Sequence, residues 1–203
     1  MQLVLPAITA PAKLSLDPSQ TMSDEAYYEF CIANPDVRFE RSPQGEIIIV
    51  PLAGGESDYH SLDAGAQLKA WSKRDGRGRA FGCSVAFILP SGAVYSPDAA
   101  WVSKARLSIL TREQLRKFPP VCPEFVIEVM SPSDRPRAAK DKMLAWMAEG
   151  VELAWLIDGN NETVYIFRSG SQESEQRTGI MTLAGEGPVG GFELDLADIW
   201  AGL

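Results

Sequence analysis

The chain has 203 residues, of which 45% are hydrophobic and 23% are charged. These are the proportions of an ordinary globular protein, and they exclude collagen-like, mucin-like and generally disordered chains. The 19 Lys and Arg residues stand against 27 Asp and Glu residues, which gives a formal net charge of −8. That acidity argues against a phosphate-bearing partner, because such partners are bound by a surplus of Lys and Arg. The sequence contains no run of about 18 apolar residues, the length that would predict a membrane-spanning helix.

The charge is unevenly distributed along the chain. Residues 1–68 carry 3 basic and 10 acidic side chains, and residues 150–203 carry 2 and 9, so each flank has a net charge of −7. Residues 69–149 carry 14 basic and 8 acidic side chains, a net charge of +6. The basic middle can meet phosphate groups, or its charges can simply be a solvated face.

The first residues and the cysteines favour a cytoplasmic protein. Residues 1–16 are apolar but are interrupted by Pro6 and Pro11 and have no basic leader, which makes a poor signal peptide. Cys31, Cys83 and Cys122 are too few and too scattered for a disulfide framework or a Cys-x-x-Cys metal site.

The first half of the chain predicts an arm, two helices and several short strands. Residues 1–20 contain three prolines and predict an arm, and Thr21 or Ser23 can cap a helix that ends near Asn34. A hairpin is predicted from strands at 37–41 and 46–50, a helix over 58–75, and strands at 81–83, 85–89 and 99–102.

The second half predicts a strand–helix–strand unit. A short basic helix is expected over 111–117, followed by a buried strand over 125–130. Residues 131–134 break the strand and supply an N-cap for a helix over 135–149, which Gly150 closes. Strands are predicted at 153–157 and 163–168, and the strand–helix–strand unit that leads into the first of them favours a mixed sheet. A final strand and helical turn are predicted after Gly190.

Two carboxylates stand out as candidate ligands. Glu128 interrupts an apolar strand, where a charge is costly unless it binds something. Asp98 begins another strand behind Pro97. If the two strands are adjacent, the carboxylates converge and can hold Mg²⁺ or Mn²⁺. The alternatives are a strand-start turn residue bonded to backbone amides for Asp98 and an ion pair with a nearby arginine for Glu128.

Lys142 is the third candidate. Glu128 lies about 7 Å before the end of its strand, and Lys142 lies about 10 Å into the helix that follows. If that helix runs back over the sheet, the two residues come level with each other. Its ammonium could orient an attacking water or stabilise charge on a phosphate. The alternative is an ordinary exposed helix lysine beside Lys140 and Asp141.

An ordered set of motifs resembles the Uma-type family of putative restriction endonucleases, within the PD-(D/E)XK nuclease superfamily. The resemblance rests on Ser96-Pro97-Asp98, Pro123 to Ser131, Ser133-Asp134, Lys142-Met143, Gly150 and Trp155 to Asp158. It extends upstream to Phe39-Glu40-Arg41 with Gly45-Glu46, and downstream to Gly191-Phe192. It covers residues 20–200, approximately, and no single piece is specific alone.

The resemblance implies that Asp98 and Glu128 are the metal-binding acids and that Glu40 is an accessory acid. In the usual pattern of the superfamily, a lysine stands two residues after the second acid, and here that position is Met130. The resemblance implies that families of this type carry the lysine on the following helix, where Lys142 occupies the matching position. For Glu40 the alternative is a surface hairpin carboxylate beside Arg38 and Arg41.

The implied function is a Mg²⁺- or Mn²⁺-dependent endodeoxyribonuclease that hydrolyses phosphodiester bonds in DNA, with basic residues at 69–79 and 104–117 meeting phosphates. One alternative is a nuclease-fold protein that binds nucleic acid or a protein partner without cleavage, and another is a phosphoesterase that acts on RNA or a small ester. Zinc-hydrolase and catalytic-triad sites are excluded, because the only histidine, His60, cannot build them and is expected as a cap or surface residue.

The implied fold is an α/β, restriction-endonuclease-like domain with a mixed central β-sheet, flanking helices and extra β-hairpins. Residues 21–203 are expected to form one such domain after the arm of residues 1–20. A homodimer is expected by resemblance only.

Overall fold

The computed structural model describes residues 12–14, 22–132 and 134–203. The predicted arm of residues 1–20 therefore lies outside the described residues except for Ala12–Leu14. Contacts within the chain form two compact units. The first combines residues up to Leu52 with Ala86–Ser96 and Leu110–Val121, and the second combines Ala53–Val85, Pro97–Ile109 and Cys122–Leu203. The expectation of one domain over 21–203 stays a prediction.

The first unit is an antiparallel sheet with one helix. Its elements are β1 (Ala12–Leu14), α1 (Asp24–Ile32), β2 (Arg38–Arg41), β3 (Ile47–Val50), β5 (Phe87–Ile88) and β6 (Val94–Tyr95), and the strand order is β1-β3-β2-β6-β5. The predicted hairpin of β2 and β3 is confirmed. Ser23 caps α1 as expected, since its Oγ accepts the backbone N–H of Ala26 at 3.2 Å.

A buried guanidinium ties this unit together. Arg41 is 4% exposed and donates from Nη2 to Asp24 Oδ1 at 2.5 Å, from Nε to the carbonyl of Gly92 at 2.9 Å and from Nη1 to the carbonyl of Met22 at 3.2 Å. The same group lies 4.9 Å from the ring centroid of Tyr27. Because a buried charge is costly unless it is paired and hydrogen-bonded, these contacts are what permit Arg41 to lie inside the unit.

The second unit is built on a six-stranded sheet with the order β11-β10-β9-β8-β7-β4. Its elements are α2 (Gly55–Asp75), β4 (Gly78–Gly82), β7 (Ala99–Ser103), α3 (Lys104–Ser108), β8 (Phe125–Val129), α4 (Pro136–Ala148), β9 (Leu153–Asp158), β10 (Thr163–Arg168), β11 (Glu175–Thr178), β12 (Thr182–Ala184), β13 (Glu193–Asp195) and α5 (Ala197–Ala201). The strands β12 and β13 form a separate antiparallel pair.

The predicted strand–helix–strand unit is confirmed. The strands β8 and β9 are parallel neighbours, with Phe125 opposite Leu153, and α4 connects them. The other pairs in the six-stranded sheet are antiparallel, so the sheet is mixed as expected.

The core of the second unit lies between the sheet and α2. Alternate residues of each strand point to opposite faces, and the residues that share this core include Phe125, Ile127 and Val129 of β8 together with Ala64, Leu68 and Trp71 of α2. The intervening β8 residue, Glu128, is therefore directed to the other face of the sheet.

Three local expectations were wrong or incomplete. The predicted basic helix over 111–117 is a single 3₁₀ turn, Gln114–Arg116, and the short helix α3 was not predicted. The helix α4 is capped at Arg135 without a side-chain hydrogen bond, so residues 131–134 do not supply its N-cap. The short strands β6, β11 and β12 were not predicted, because each has too few residues to show a hydrophobic period.

The architecture is mixed α/β, as the sequence predicts. Of the helices in the described part of the chain, none combines the length and the apolar character that crossing a bilayer requires.

Candidate functional site

Two acidic side chains meet where β7 and β8 run side by side. The strands are antiparallel, with Ala99 opposite Ile127. Continuing this register by one residue places Asp98 opposite Glu128, and directly opposed residues have Cβ atoms about 4.5–5.5 Å apart. The Asp98 side chain also crosses to the neighbouring strand, since its Oδ2 accepts the backbone N–H of Val129 at 2.8 Å. The structure therefore brings together the two carboxylates that the sequence singles out.

Glu128 is held by two donors from α4. It is 9% exposed, and its Oε1 lies 2.9 Å from Lys142 Nζ and accepts the indole N–H of Trp146 at 2.9 Å. Trp146 is fully buried. A carboxylate at this depth is costly without partners, and the ammonium and the indole stabilise its charged form.

Helix periodicity explains why both donors reach the same oxygen. Lys142 and Trp146 are four residues apart on α4, and residues at this spacing share one face of a helix. The level position expected for Lys142 is thus observed. Sequence reasoning missed Trp146 as a partner of Glu128, although its i, i+4 relation to Lys142 was the signal that could have identified it.

These contacts decide between the structural alternatives for each residue. The Glu128 carboxylate is paired with the lysine of α4. Lys142 is not an ordinary exposed lysine, since its ammonium is paired with a buried carboxylate. Asp98 does bond to a backbone amide, that of Val129, but the amide belongs to the neighbouring strand and not to a local turn.

Glu40 lies in the first unit, whereas the other three candidates lie in the second. It is 6% exposed on β2, and its Oε1 accepts the backbone N–H of Ser96 at 3.1 Å. The surface-carboxylate alternative is therefore wrong. Its contact fixes the backbone two residues before Asp98 in the chain, and an accessory role for Glu40 stays a prediction.

The donor set suits a hard divalent cation. Mg²⁺ and Mn²⁺ prefer carboxylate oxygens and complete their coordination with water and phosphate oxygens, so two adjacent carboxylates are a sufficient protein contribution. Among residues 22–132 and 134–203, no group of three or more His, Cys, Asp or Glu side chains is arranged to hold a metal. Asp98 and Glu128 fit a metal shared with substrate and water better than a metal enclosed by protein.

His60 is buried and not at the surface, contrary to expectation. It lies inside α2, is 5% exposed, and its Nε2 has no hydrogen-bond partner within the described residues. Together with Glu56, Asn160 and Trp200 it lines a cavity of about 120 Å³. The sequence gives no signal for this burial, because it depends on chain segments about 100 residues away.

Cys31 and Cys122 are not candidate nucleophiles. Burial raises the pKa of Cys122 to about 12, and burial also raises the pKa of Cys31. Both thiols are protonated at neutral pH, and the thiol form is a poor nucleophile and metal ligand.

Replacing Trp146 with phenylalanine removes the indole donor from Glu128 while keeping an aromatic ring. We expect the free energy of unfolding to fall by about 1.5–3 kcal/mol more than in Trp101→Phe, because a hydrogen bond to a charged group contributes about that amount. Trp101 is a matched control, since it is also a core residue and its Nε1 has no partner in the described part of the chain. Urea unfolding of both variants measures the difference, and equal losses would show that the indole bond contributes nothing.

Comparison with known proteins agrees with this fold. The crystal structure of a putative nuclease belonging to DUF820, from Anabaena variabilis, superimposes with a TM-score of 0.67 at 21% sequence identity, over 80% of this chain and 89% of that chain. A DrdV–DNA complex, solved by cryo-electron microscopy, matches over 54% of this chain and 9% of its own, at 13% identity and a TM-score of 0.33. None of the curated proteins compared with the chain matches it. The model of the Uma2 family, described as putative restriction endonucleases, matches residues 24–197, and the chain therefore belongs to that family.

Proposed function

We propose that this protein is an endonuclease that hydrolyses phosphodiester bonds in DNA and depends on Mg²⁺ or Mn²⁺. The observation that carries the proposal is the meeting of three side chains where the start of β7 lies beside the end of β8, two interior strands of the sheet. Asp98 and Glu128 lie on neighbouring strands, and the Lys142 ammonium is 2.9 Å from the Glu128 carboxylate. Membership of a family of putative restriction endonucleases supports a nuclease.

Each side chain has a definite task in such a reaction. Asp98 and Glu128 would hold the divalent ion through carboxylate oxygens. When bound, the ion supplies polarisation of the scissile phosphate and acidification of the attacking water. Lys142 would stabilise the negative charge that develops on the phosphate oxygens, and it orients Glu128 through their ion pair. Trp146 fixes the same carboxylate from the buried side.

Several basic residues expected to meet phosphate are already engaged with carboxylates. Arg106 pairs with Glu124 and Glu152 in the second unit. Lys117 donates to Glu25 in the first unit. Two exposed arginines, Arg135 at the N-cap of α4 and Arg137 in its first turn, are better phosphate contacts, because they lie a few residues before Lys142 in the same segment.

Cleavage of supercoiled plasmid and of single-stranded DNA tests the proposal. At low salt the wild-type protein is expected to nick or cut DNA in Mg²⁺ or Mn²⁺ and to lose this activity in excess chelator. Asp98→Asn should be inactive, and Glu193→Gln, which alters an exposed acid on β13, should cut like wild type. Equal cutting by wild type and Asp98→Asn would refute the assignment of Asp98, and no cutting of any substrate would refute the nuclease.

A protein that binds nucleic acid without cleaving it is the second candidate. The Lys142–Glu128 ion pair is compatible with this alternative, because a salt bridge between a helix and a strand can stabilise the fold without taking part in catalysis. Retained binding of DNA by a wild-type protein that cuts nothing would establish this alternative.

A further inference from the structure

One face of α2 carries an exposed leucine between charges of opposite sign. Leu62 is 67% exposed, and Asp58, Lys69 and Lys73 are exposed as well. Successive members of this set are four, seven and four positions apart, so they lie on one face of the helix. Asp58 belongs to the first turn and Lys73 to the last. Within the described part of the chain, no ion pair or hydrogen bond engages the charged groups of these three side chains.

A groove of about 350 Å³ lies beside this face, between α2 and β4, the edge strand of the six-stranded sheet. Its walls include the small residues Gly65 and Ala66 of the helix and Ala80 of the strand. A Cβ built on Gly65 would meet only the Ala99 Cβ, at 3.9 Å, so the groove is open there. The same surface therefore offers an exposed leucine and a space that an apolar side chain can enter. The groove is also lined by Leu62, Phe81 and the charged residues Asp58, Lys69 and Asp98.

The occupant that this surface fits is a second copy of the chain, because the surface is complementary to itself. In an antiparallel pair of α2 helices, a two-fold axis midway between positions 65 and 66 places Asp58 of each copy opposite Lys73 of the other. The same axis places Leu62 opposite Lys69, which lines the groove. Each leucine then enters the groove of the other copy. A two-fold contact uses one patch on both copies and closes the assembly at a dimer.

The charges on this face select the antiparallel orientation. The two Lys69 residues of such a dimer lie about seven positions apart, which is about 10 Å along the helix axes. A parallel pair would instead place each lysine beside the same lysine of the other copy, and each Asp58 beside Asp58, and neighbouring like charges are destabilising. Antiparallel helices also place each positive helix end beside a negative one.

We propose that the protein forms a two-fold symmetric homodimer through this face of α2, with Leu62 of each copy in the groove of the other and Asp58 paired with Lys73. A contact confined to one helix face and one groove lies at the small end of specific interfaces, so the dimer should dissociate on dilution. The inference goes beyond the proposed nuclease function and does not depend on it, since the contact involves neither DNA nor metal.

Sedimentation velocity of the full chain over a range of micromolar concentrations, in chelator, tests the dimer. The average mass of the wild-type protein is expected to rise with concentration from that of one chain towards that of two. Leu62→Ser should raise the dissociation constant at least about ten-fold, because each dimer loses two buried leucine side chains. Leu144→Ser removes another exposed leucine, from α4, and should dimerise like wild type.

Exchange of charges provides a second test, whose result loss of folding cannot imitate. Asp58→Lys and Lys73→Asp each place like charges at both symmetry-related contacts, so each variant alone should dimerise at least about five-fold more weakly than wild type. An equimolar mixture of the two variants should recover the dimer, because the mixed pair has opposite charges at both contacts. A wild-type mass that stays at one chain throughout, equal dimerisation by Leu62→Ser and wild type, or a mixture no more dimeric than its components would overturn the proposal.

Discussion

Replacing Glu128 with glutamine is expected to reduce metal-dependent cleavage by about 10³-fold, equivalent to roughly 4 kcal/mol of transition-state stabilisation. The amide preserves the volume of the side chain, and its carbonyl oxygen can still accept from Lys142 and Trp146. The substitution removes the negative charge, and with it half of the proposed anionic ligand pair. Because shape and hydrogen bonds remain, the loss should be one of chemistry and not of folding.

Calorimetry with Mn²⁺ distinguishes loss of metal from loss of structure. We expect Glu128→Gln to lose measurable Mn²⁺ binding while its unfolding transition stays cooperative. Trp146→Phe is the matched comparison, since it alters the same hydrogen-bonded group and keeps the carboxylate, and it should still bind the ion. Wild-type Mn²⁺ affinity in Glu128→Gln would show that the metal is held elsewhere.

The part of the site that could be predicted from sequence is the part fixed by local chain geometry. An apolar run interrupted by Glu128, a break at Pro132 and a helical pattern through Lys142 define one strand–helix–strand unit, and its dimensions place the lysine level with the acid. The predicted position of Asp98 depended on one further assumption, that its strand is a neighbour of the Glu128 strand, and β7 and β8 are indeed paired.

The remaining features depend on contacts between distant segments, which a local pattern does not contain. Glu40 has the sequence context of an exposed hairpin, yet it is buried because the Ser96 N–H, 56 residues away, satisfies its carboxylate. His60 has the context of a helix start and is buried by residues near the chain end.

Lys142→Met is expected to lower cleavage by about 10²–10³-fold, the range for removing one preorganised group that stabilises developing charge. Methionine retains most of the aliphatic stem and removes the ammonium. Unlike Glu128→Gln, this variant keeps both carboxylates and should bind Mn²⁺ at least as well as wild type, because the cation that competes for Glu128 is gone. Loss of Mn²⁺ binding in Lys142→Met would assign the lysine a structural role in place of a chemical one.

The stability of Lys142→Met provides an independent test of the same ion pair. Removing the ammonium leaves the Glu128 carboxylate buried with the Trp146 indole as its remaining donor from α4, and breaking a fully buried pair costs about 3–5 kcal/mol. A third of the Lys142 side chain is exposed, so solvent screening reduces the expected loss to about 1–3 kcal/mol. The double variant Glu128→Gln/Lys142→Met removes the uncompensated charge and should recover most of that loss, which a double-mutant cycle by urea unfolding measures directly. A double variant no more stable than Lys142→Met alone would mean that the charge on Glu128 is balanced by groups other than this lysine.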